Sequence, residues 1–374
     1  MNETDVVFLE GLFKKYYFEH FDLIKAPERA SEREFGYQRI NSGMNRHISL
    51  ADDEELRLLL AQNIPSDVYC SNACYAFPAM PMKEKDWKEA DLIFDIDSKD
   101  LALPCRASHT VYVCNECARA SNADKCVHCG SAKTEKKSLP CDKCIDASKK
   151  EVEKLRNILT DDLGVADDMI EVYFSGNEGF HVYAFDAELQ KTGSKERSQL
   201  ADYIMFNGII PETMGMKRHR PDRSLLADLG ERGWRGRFAR DAYGSKTGRT
   251  KAATQMKKDP DGYSKFESQL ADSAGRIGVK IDPNVTTDIH RIFRMPGSIN
   301  SKSGLSKIRC SRLDGFDPYA EAALLDDVPA EVSAECPVKF SLGGQKFGPY
   351  ERGRITVPAY AAAYMICKKL ATTA

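Results

Sequence analysis

Seven of the chain's 12 cysteines lie between Cys105 and Cys144, and their spacing narrows the fold more than any other feature. Cys114-x-x-Cys117 and Cys126-x-x-Cys129 are separated by eight residues. Each such turn presents two thiolates to one tetrahedral ion, so the four read as a zinc ribbon or knuckle. Cys141-x-x-Cys144 directly precedes an amphipathic stretch, and Cys105 and His109 are candidates to complete a second site. In a reducing compartment such pairs are metal ligands rather than disulfides. Closed thiolate tetrahedra leave no open position for water, so both sites read as structural. Cys70, Cys74, Cys310, Cys336 and Cys367 are scattered and read as small apolar residues. Residues 105–145 are therefore expected to be a zinc-binding insertion in a larger core.

The rest of the chain is long enough to supply that core. Its 374 residues are 42% hydrophobic and 29% charged, which suits a globular protein and excludes collagen, coiled coil and wholesale disorder. There is no run of about 18 apolar residues to span a membrane. The segment from Met1 to Tyr16 is acidic and helical in pattern, with no charged-then-apolar signal, so a cytoplasmic location is expected. The net charge of −2 conceals a basic segment at 214–258, with 13 Lys or Arg against 4 Asp or Glu. Arg218, Arg220, Arg235 and Arg237 there suit a phosphate backbone. Trp234 and Phe238 could stack on unpaired bases, or the segment could be a solvated helix face with its aromatics turned inward.

Asp95-Ile96-Asp97 closes the apolar run Leu92–Ile96. On a strand, alternation places the two carboxylates on one face, about 7 Å apart, with Leu92, Phe94 and Ile96 on the other. Two adjacent carboxylates repel unless a divalent cation lies between them, and hard oxygen donors suit Mg²⁺ or Mn²⁺. A solvated strand end accounts for the same pattern. Asp282 ends a second apolar stretch, Ile277–Ile281, expected to be a strand. Three carboxylates can hold two metals. Asp288 lies nearby and is expected to be an acid at a helix N-terminus.

Further elements follow from periodicity. Helices are expected over 1–30 (ending near Pro27), 52–62, 148–162, 195–208 and 357–370, and strands near 33–37, 44–48, 67–77 and 91–97. Residues 169–185 read as a β-hairpin with the turn Ser175–Gly179. The glycines of that turn, Gly176 among them, let backbone amides approach an anion, and His181 follows on one strand face. A lone strand histidine is equally a satisfied structural residue. Arg291, Arg294 and Lys302 lie in a basic loop that also holds Ser298, Asn300 and Ser303, with no Walker-type pattern.

In order along the chain, these stretches resemble the catalytic small subunit of archaeal DNA primase, in the archaeo-eukaryotic primase superfamily. The matching stretches are Arg33–Tyr37 with Arg46-His47, Val68–Ser71, Asp91–Asp97, Ser175–His181, and Asp282 followed by Val285–Asp288 and Arg291–Gly304. Glu178 stands where many members carry a basic residue, and Asn300 where many carry histidine.

The resemblance implies an α/β (α+β) fold. Its catalytic core of mixed, largely antiparallel sheet flanked by helices is discontinuous (1–104, 146–186 and 263–374). The zinc module is inserted at 105–145 and a basic helical subdomain at 187–262. It also supports grouping Cys105 and His109 with Cys141 and Cys144. Asp95, Asp97 and Asp282 would bind two Mg²⁺ or Mn²⁺ ions. Ser175, Gly176, His181, Arg294, Asn300 and Lys302 would hold the nucleotide. The expected activity is primer synthesis from nucleoside triphosphates on single-stranded DNA, with an RNA or DNA primer as product. A large regulatory subunit carrying an iron–sulfur cluster is the expected partner. With no fused helicase or ligase, the replicative subunit is favoured over a standalone repair polymerase. A non-catalytic zinc-ribbon nucleic-acid binder would need the ribbon and basic segment but not the three aspartates.

Overall fold

The computed structural model describes residues 1–217, 224–259 and 261–374, with backbone alone at 255–258. Two antiparallel sheets form its centre. One contains β1 (Arg33–Gln38), β2 (Met44–Ile48), β3 (Asp67–Tyr75) and β4 (Trp87–Ala90). The other begins with β5 (Leu92–Asp97). After β5 the chain enters the cysteine-rich block, a small sheet of β6 (Thr110–Cys114), β7 (Ala120–Ser121) and β8 (Thr134–Ser138). It returns through the helix Asp142–Asp161 to the hairpin β9 (Ile170–Phe174) and β10 (Gly179–Ala184), which pairs with β5.

The late part of the chain completes both sheets. β11 (Ile292–Arg294) adds to the first along β3, and β14 (Ile308–Arg309) adds to the second along β9. Between them lies the short ladder of β12 (Ile299–Asn300) and β13 (Leu305–Ser306). The order of this second sheet is β14-β9-β10-β5. Leu92, Phe94 and Ile96 are fully buried on the face covered by the Asp142–Asp161 helix, which contributes Val152, Leu155 and Leu159. Alternation therefore turns Asp95 and Asp97 to the opposite face, as the sequence predicts. That face meets the first sheet through Ile93, Tyr183, Val285 and Phe293.

Several elements differ from the sequence reading. The first helix is Glu3–Glu19, capped by Asn2 through the amide of Asp5, and does not reach Pro27. Its chain turns at His20 into a single turn, Phe21–Leu23. The helix expected at 148 begins at Asp142, so the Cys141/Cys144 pair sits at its N-terminus. Ile277–Ile281 is not a strand. Ile277 ends the helix Gly262–Ile277, and the chain then passes so close to the Ser194–Met205 helix that a Cβ on Gly278 would lie 2.3 Å from the carbonyl of Met205. Val279 is held there by the carbonyl of Ile204. Asp288 does not begin a helix. It follows the short helix Pro283–Thr287, whose N-cap is Asp282, and its own carboxylate accepts from the amide of His290.

A second apolar core sits outside the sheets. Phe206, Met214, Phe238, Phe266 and Leu270 pack together across the helices Gly233–Tyr243 and Gly262–Ile277. Phe266 and Leu270 of Gly262–Ile277 belong to this core, with Tyr263, Ala274 and Ile277 packed against it.

Candidate active site and metal groups

Asp95 and Asp97 sit at the end of β5, opposite His181 and Gly179 of β10. Directly opposed residues of an antiparallel pair share a face, and His181 Nε2 lies 3.7 Å from Asp95 Oδ1. Gly179 is required by this geometry. A Cβ there would meet Asp97 Oδ1 at 2.4 Å and the carbonyl of Ile96 at 2.3 Å. Asp282 joins the pair through the backbone: its amide donates to the carbonyl of Asp95 at 3.0 Å. Its side chain accepts from the amide of Asn284, which fixes the carboxylate beside β5.

The electrostatics follow from this crowding. Burial, and then the charges of Asp97 and Asp282, push the Asp95 carboxyl up to about 7, while Lys99 and Arg291 oppose the rise. Asp95 Oδ1 is buried and, among the described residues, has no hydrogen-bond partner. Lys99 pairs with Asp97. His181 is held well below the usual histidine range by burial and by the cations Lys307, Arg294 and Arg291, so it is neutral.

Of the other residues expected to hold a nucleotide, some line the turn and some do not. Ser175 and Gly176 form the tight turn before β10, with the Ser175 amide bonded to the Gly179 carbonyl at 2.9 Å and Gly176 at φ 81°. Lys302 is exposed beside this turn, its amide bonded to Asn300 Oδ1. Two others are engaged within the chain. Arg294 pairs with the buried Asp67 and donates to the carbonyl of Ile299 at 2.6 Å, so its charge is already compensated. Asn300 is buried, and its amide donates to the carbonyl of Ser175 at 3.2 Å, tying the basic loop to the hairpin turn.

One buried cation escaped the sequence reading. Lys307 is fully buried and donates to Tyr183 Oη at 2.6 Å and the carbonyl of Arg294 at 2.8 Å. Burial and Arg294 hold its amine well below the usual lysine range. The alternation Leu305-Ser306-Lys307-Ile308 could have placed it opposite Ser306; only folding shows that both are buried.

Both cysteine groupings are formed. In Cys114, Cys117, Cys126 and Cys129, and in Cys105, His109, Cys141 and Cys144, the ligand atoms all lie within 4.8 Å of one another. The Sγ pairs Cys114–Cys129, Cys117–Cys126 and Cys105–Cys144 are each 3.6 Å apart. A tetrahedron with metal–sulfur bonds of about 2.3 Å has edges of about 3.8 Å, so these sets fit zinc. His109 turns Nε2 toward Cys144 Sγ at 3.4 Å.

The basic segment is placed less openly than its charge suggested. Arg218 and Arg220 lie outside the described residues. Trp234 stacks on Tyr203 and donates to its carbonyl at 2.7 Å. Arg235 pairs with Glu231, and Arg237 pairs with Asp162. Phe238 is wholly buried, so it cannot stack on a base.

This arrangement sits within a recognisable sequence neighbourhood. The chain matches the DNA primase small subunit family over residues 94–309, which spans Asp95, the hairpin turn and Asp282. It is 61% identical to the DNA primase small subunit PriS of Nitrosopumilus maritimus (strain SCM1), over 100% of both chains. The chain belongs to the DNA primase small subunit family. Identity to the PriS protein of Cenarchaeum symbiosum (strain A) is 51%, again over 100% of both chains. For that of Archaeoglobus fulgidus it is 27% over 97% of each. Family membership agrees with the mixed α/β architecture and its two Cys/His groups. Among the described residues, no helix is long and apolar enough to cross a membrane.

Proposed function

We propose that this chain is the catalytic subunit of a DNA primase, joining nucleoside triphosphates into short primers on a single-stranded DNA template. The observation that carries this reading is the 3.0 Å backbone bond from Asp282 to Asp95, which adds a third carboxylate to the β5 pair. Family membership supports the same activity.

The three aspartates fit divalent cations. Their donors are hard oxygens, and the buried Asp95 Oδ1, partnerless among the described residues, points to a ligand beyond the protein. Two ions held by Asp95, Asp97 and Asp282 would activate the attacking 3′-hydroxyl and stabilise the departing pyrophosphate. The protein's own part is positioning. Gly179 lets Asp97 lie against the hairpin. The Ser175–Gly179 turn supplies backbone amides for phosphate oxygens, and Lys302 adds an exposed cation. Neutral His181 offers a hydrogen bond without adding charge beside Asp95. The two Cys/His groups would hold zinc structurally, and a large subunit would be the partner of this chain.

The test is primer synthesis on a single-stranded homopolymer with labelled nucleotide and Mg²⁺ or Mn²⁺. D95A and D282A should each abolish product while zinc content and DNA binding persist. Product from both variants would overturn the three-aspartate mechanism.

A further inference from the structure

The Ser175–Gly179 turn carries an acid, Glu178, beside the place where the proposed reading seats a triphosphate. That acid has a specific partner. Arg106 Nη2 donates to Glu178 Oε2 at 3.1 Å, and Arg106 Nη1 approaches Ser98 Oγ at 3.3 Å. Ser98 follows Asp97 directly, and its amide donates to the carbonyl of Glu178 at 3.3 Å. The guanidinium thus bridges the end of β5 and the hairpin tip, one residue from a metal-binding carboxylate.

Arg106 is presented on rigid backbone. It lies between Cys105 and His109 of the closed Cys/His group. Its amide bonds the Leu103 carbonyl, and its own carbonyl accepts from Thr110 Oγ1 at 2.7 Å. A second cation reaches the same turn from the far end of the chain: buried Lys368 donates to Asn177 Oδ1 at 2.8 Å. Positive charge therefore converges on the turn from two segments remote in sequence.

The Arg106 contact is not that of a guanidinium saturated by a carboxylate. Arginine–carboxylate pairs are frequently two-bond forks. Here one nitrogen meets the carboxylate and the other a neutral hydroxyl at long range. Among the described residues, these contacts occupy two of its five N–H groups. The side chain retains 15% exposure. The free N–H groups of such a fork can engage a phosphate in the same two-bond way as a carboxylate.

We propose that Arg106 binds the phosphates of the incoming nucleoside triphosphate, with Glu178 orienting it, so that the edge of the Cys/His module sets nucleotide affinity. This rests on the primase reading above.

The full-length chain should be tested as R106A, E178A and the double variant R106A/E178R. The readouts are zinc content, kcat, KM for nucleotide, and Kd for a non-hydrolysable nucleoside triphosphate. R106A should raise KM and Kd about tenfold, the loss of a charge-assisted phosphate contact, with kcat little changed. E178A should raise both less, by releasing the guanidinium from its orientation. R106A/E178R should recover affinity by restoring a cation at the turn. An unchanged Kd and KM in R106A with zinc retained overturns the assignment. Should R106A lose zinc, E178A decides: raised KM and Kd support the assignment and unchanged values overturn it. The D95A control separates the two claims. If D95A abolishes synthesis while R106A and E178A leave affinity alone, only the Arg106 assignment falls. If D95A still makes product, the aspartate-centred mechanism falls first.

Discussion

The residue that concentrates the chemistry is Asp95. Its carboxyl is raised to about 7 because it is buried beside Asp97 and Asp282. Between about pH 4 and pH 7 the folded chain keeps a proton that the unfolded chain has released, so raising the pH over that window favours unfolding. The cost is a few kcal/mol at most. With no added Mg²⁺ or Mn²⁺, the Tm of the wild type should therefore fall across that window more than that of D95N. Adding either ion above pH 7 should restore it for the wild type alone. Parallel pH profiles for the two proteins would mean that Asp95 is not buried among like charges. Gly179 gives a second expectation at this scale. G179A pushes a Cβ into the Ile96 carbonyl and Asp97 Oδ1. It should cost about 1–3 kcal/mol and lower primer synthesis, measured by denaturant melts alongside the primer assay.

Among the elements, the cysteine-rich insertion was the most legible and its attachment the least. Short-range spacing showed the Cys114–Cys129 ribbon, since both pairs lie within a single loop. Nothing in the sequence showed that Arg119 of this ribbon closes a two-nitrogen fork on Glu335 of the strand Pro329–Cys336, at 2.7–3.0 Å. Glu335 also accepts from the Ala120 amide. C126S should reduce bound zinc from two ions to one while the other group stays loaded, measured by metal analysis of the purified chain. R119A should keep both ions yet speed proteolytic cleavage within 115–133, because the ribbon loses its anchor to the core. Protection equal to wild type would show that the clamp holds nothing. The helical elements were harder to bound. Gly278, pressed against Met205, converts an apolar run that reads as a strand into an extended crossing segment.

At the scale of the whole molecule, early and late segments depend on each other. β11 and β14 complete the two sheets begun by β1–β5 and the hairpin. The chain ends are clasped as well. Ala371–Thr373 pairs with Pro329–Cys336, and the Thr373 amide donates to the buried Asp5 of the first helix at 2.8 Å. Deleting residues 371–374 removes that partner and an edge strand. It should cost about 1–3 kcal/mol from the lost hydrogen bonds to the carboxylate, seen as a lower midpoint in denaturant. D5N in the truncated chain should recover part of the loss. A truncated chain as stable as the full one would show that the clasp is incidental.

By itself the sequence determined what depends on neighbours in the chain. It set the inward and outward faces of β5, the ribbon spacing and the hairpin turn, because strand alternation and ligand loops act over a few residues. Asp282 was reached as the acid ending an apolar run, but the strand expected there is absent. Only the tertiary structure decided which charges meet. It brought Asp282 against Asp95, turned Arg294 to Asp67, buried Lys307 against Tyr183 and placed Arg106 on Glu178. Such pairings depend on desolvation and on contacts across distant segments, which no short window of sequence contains.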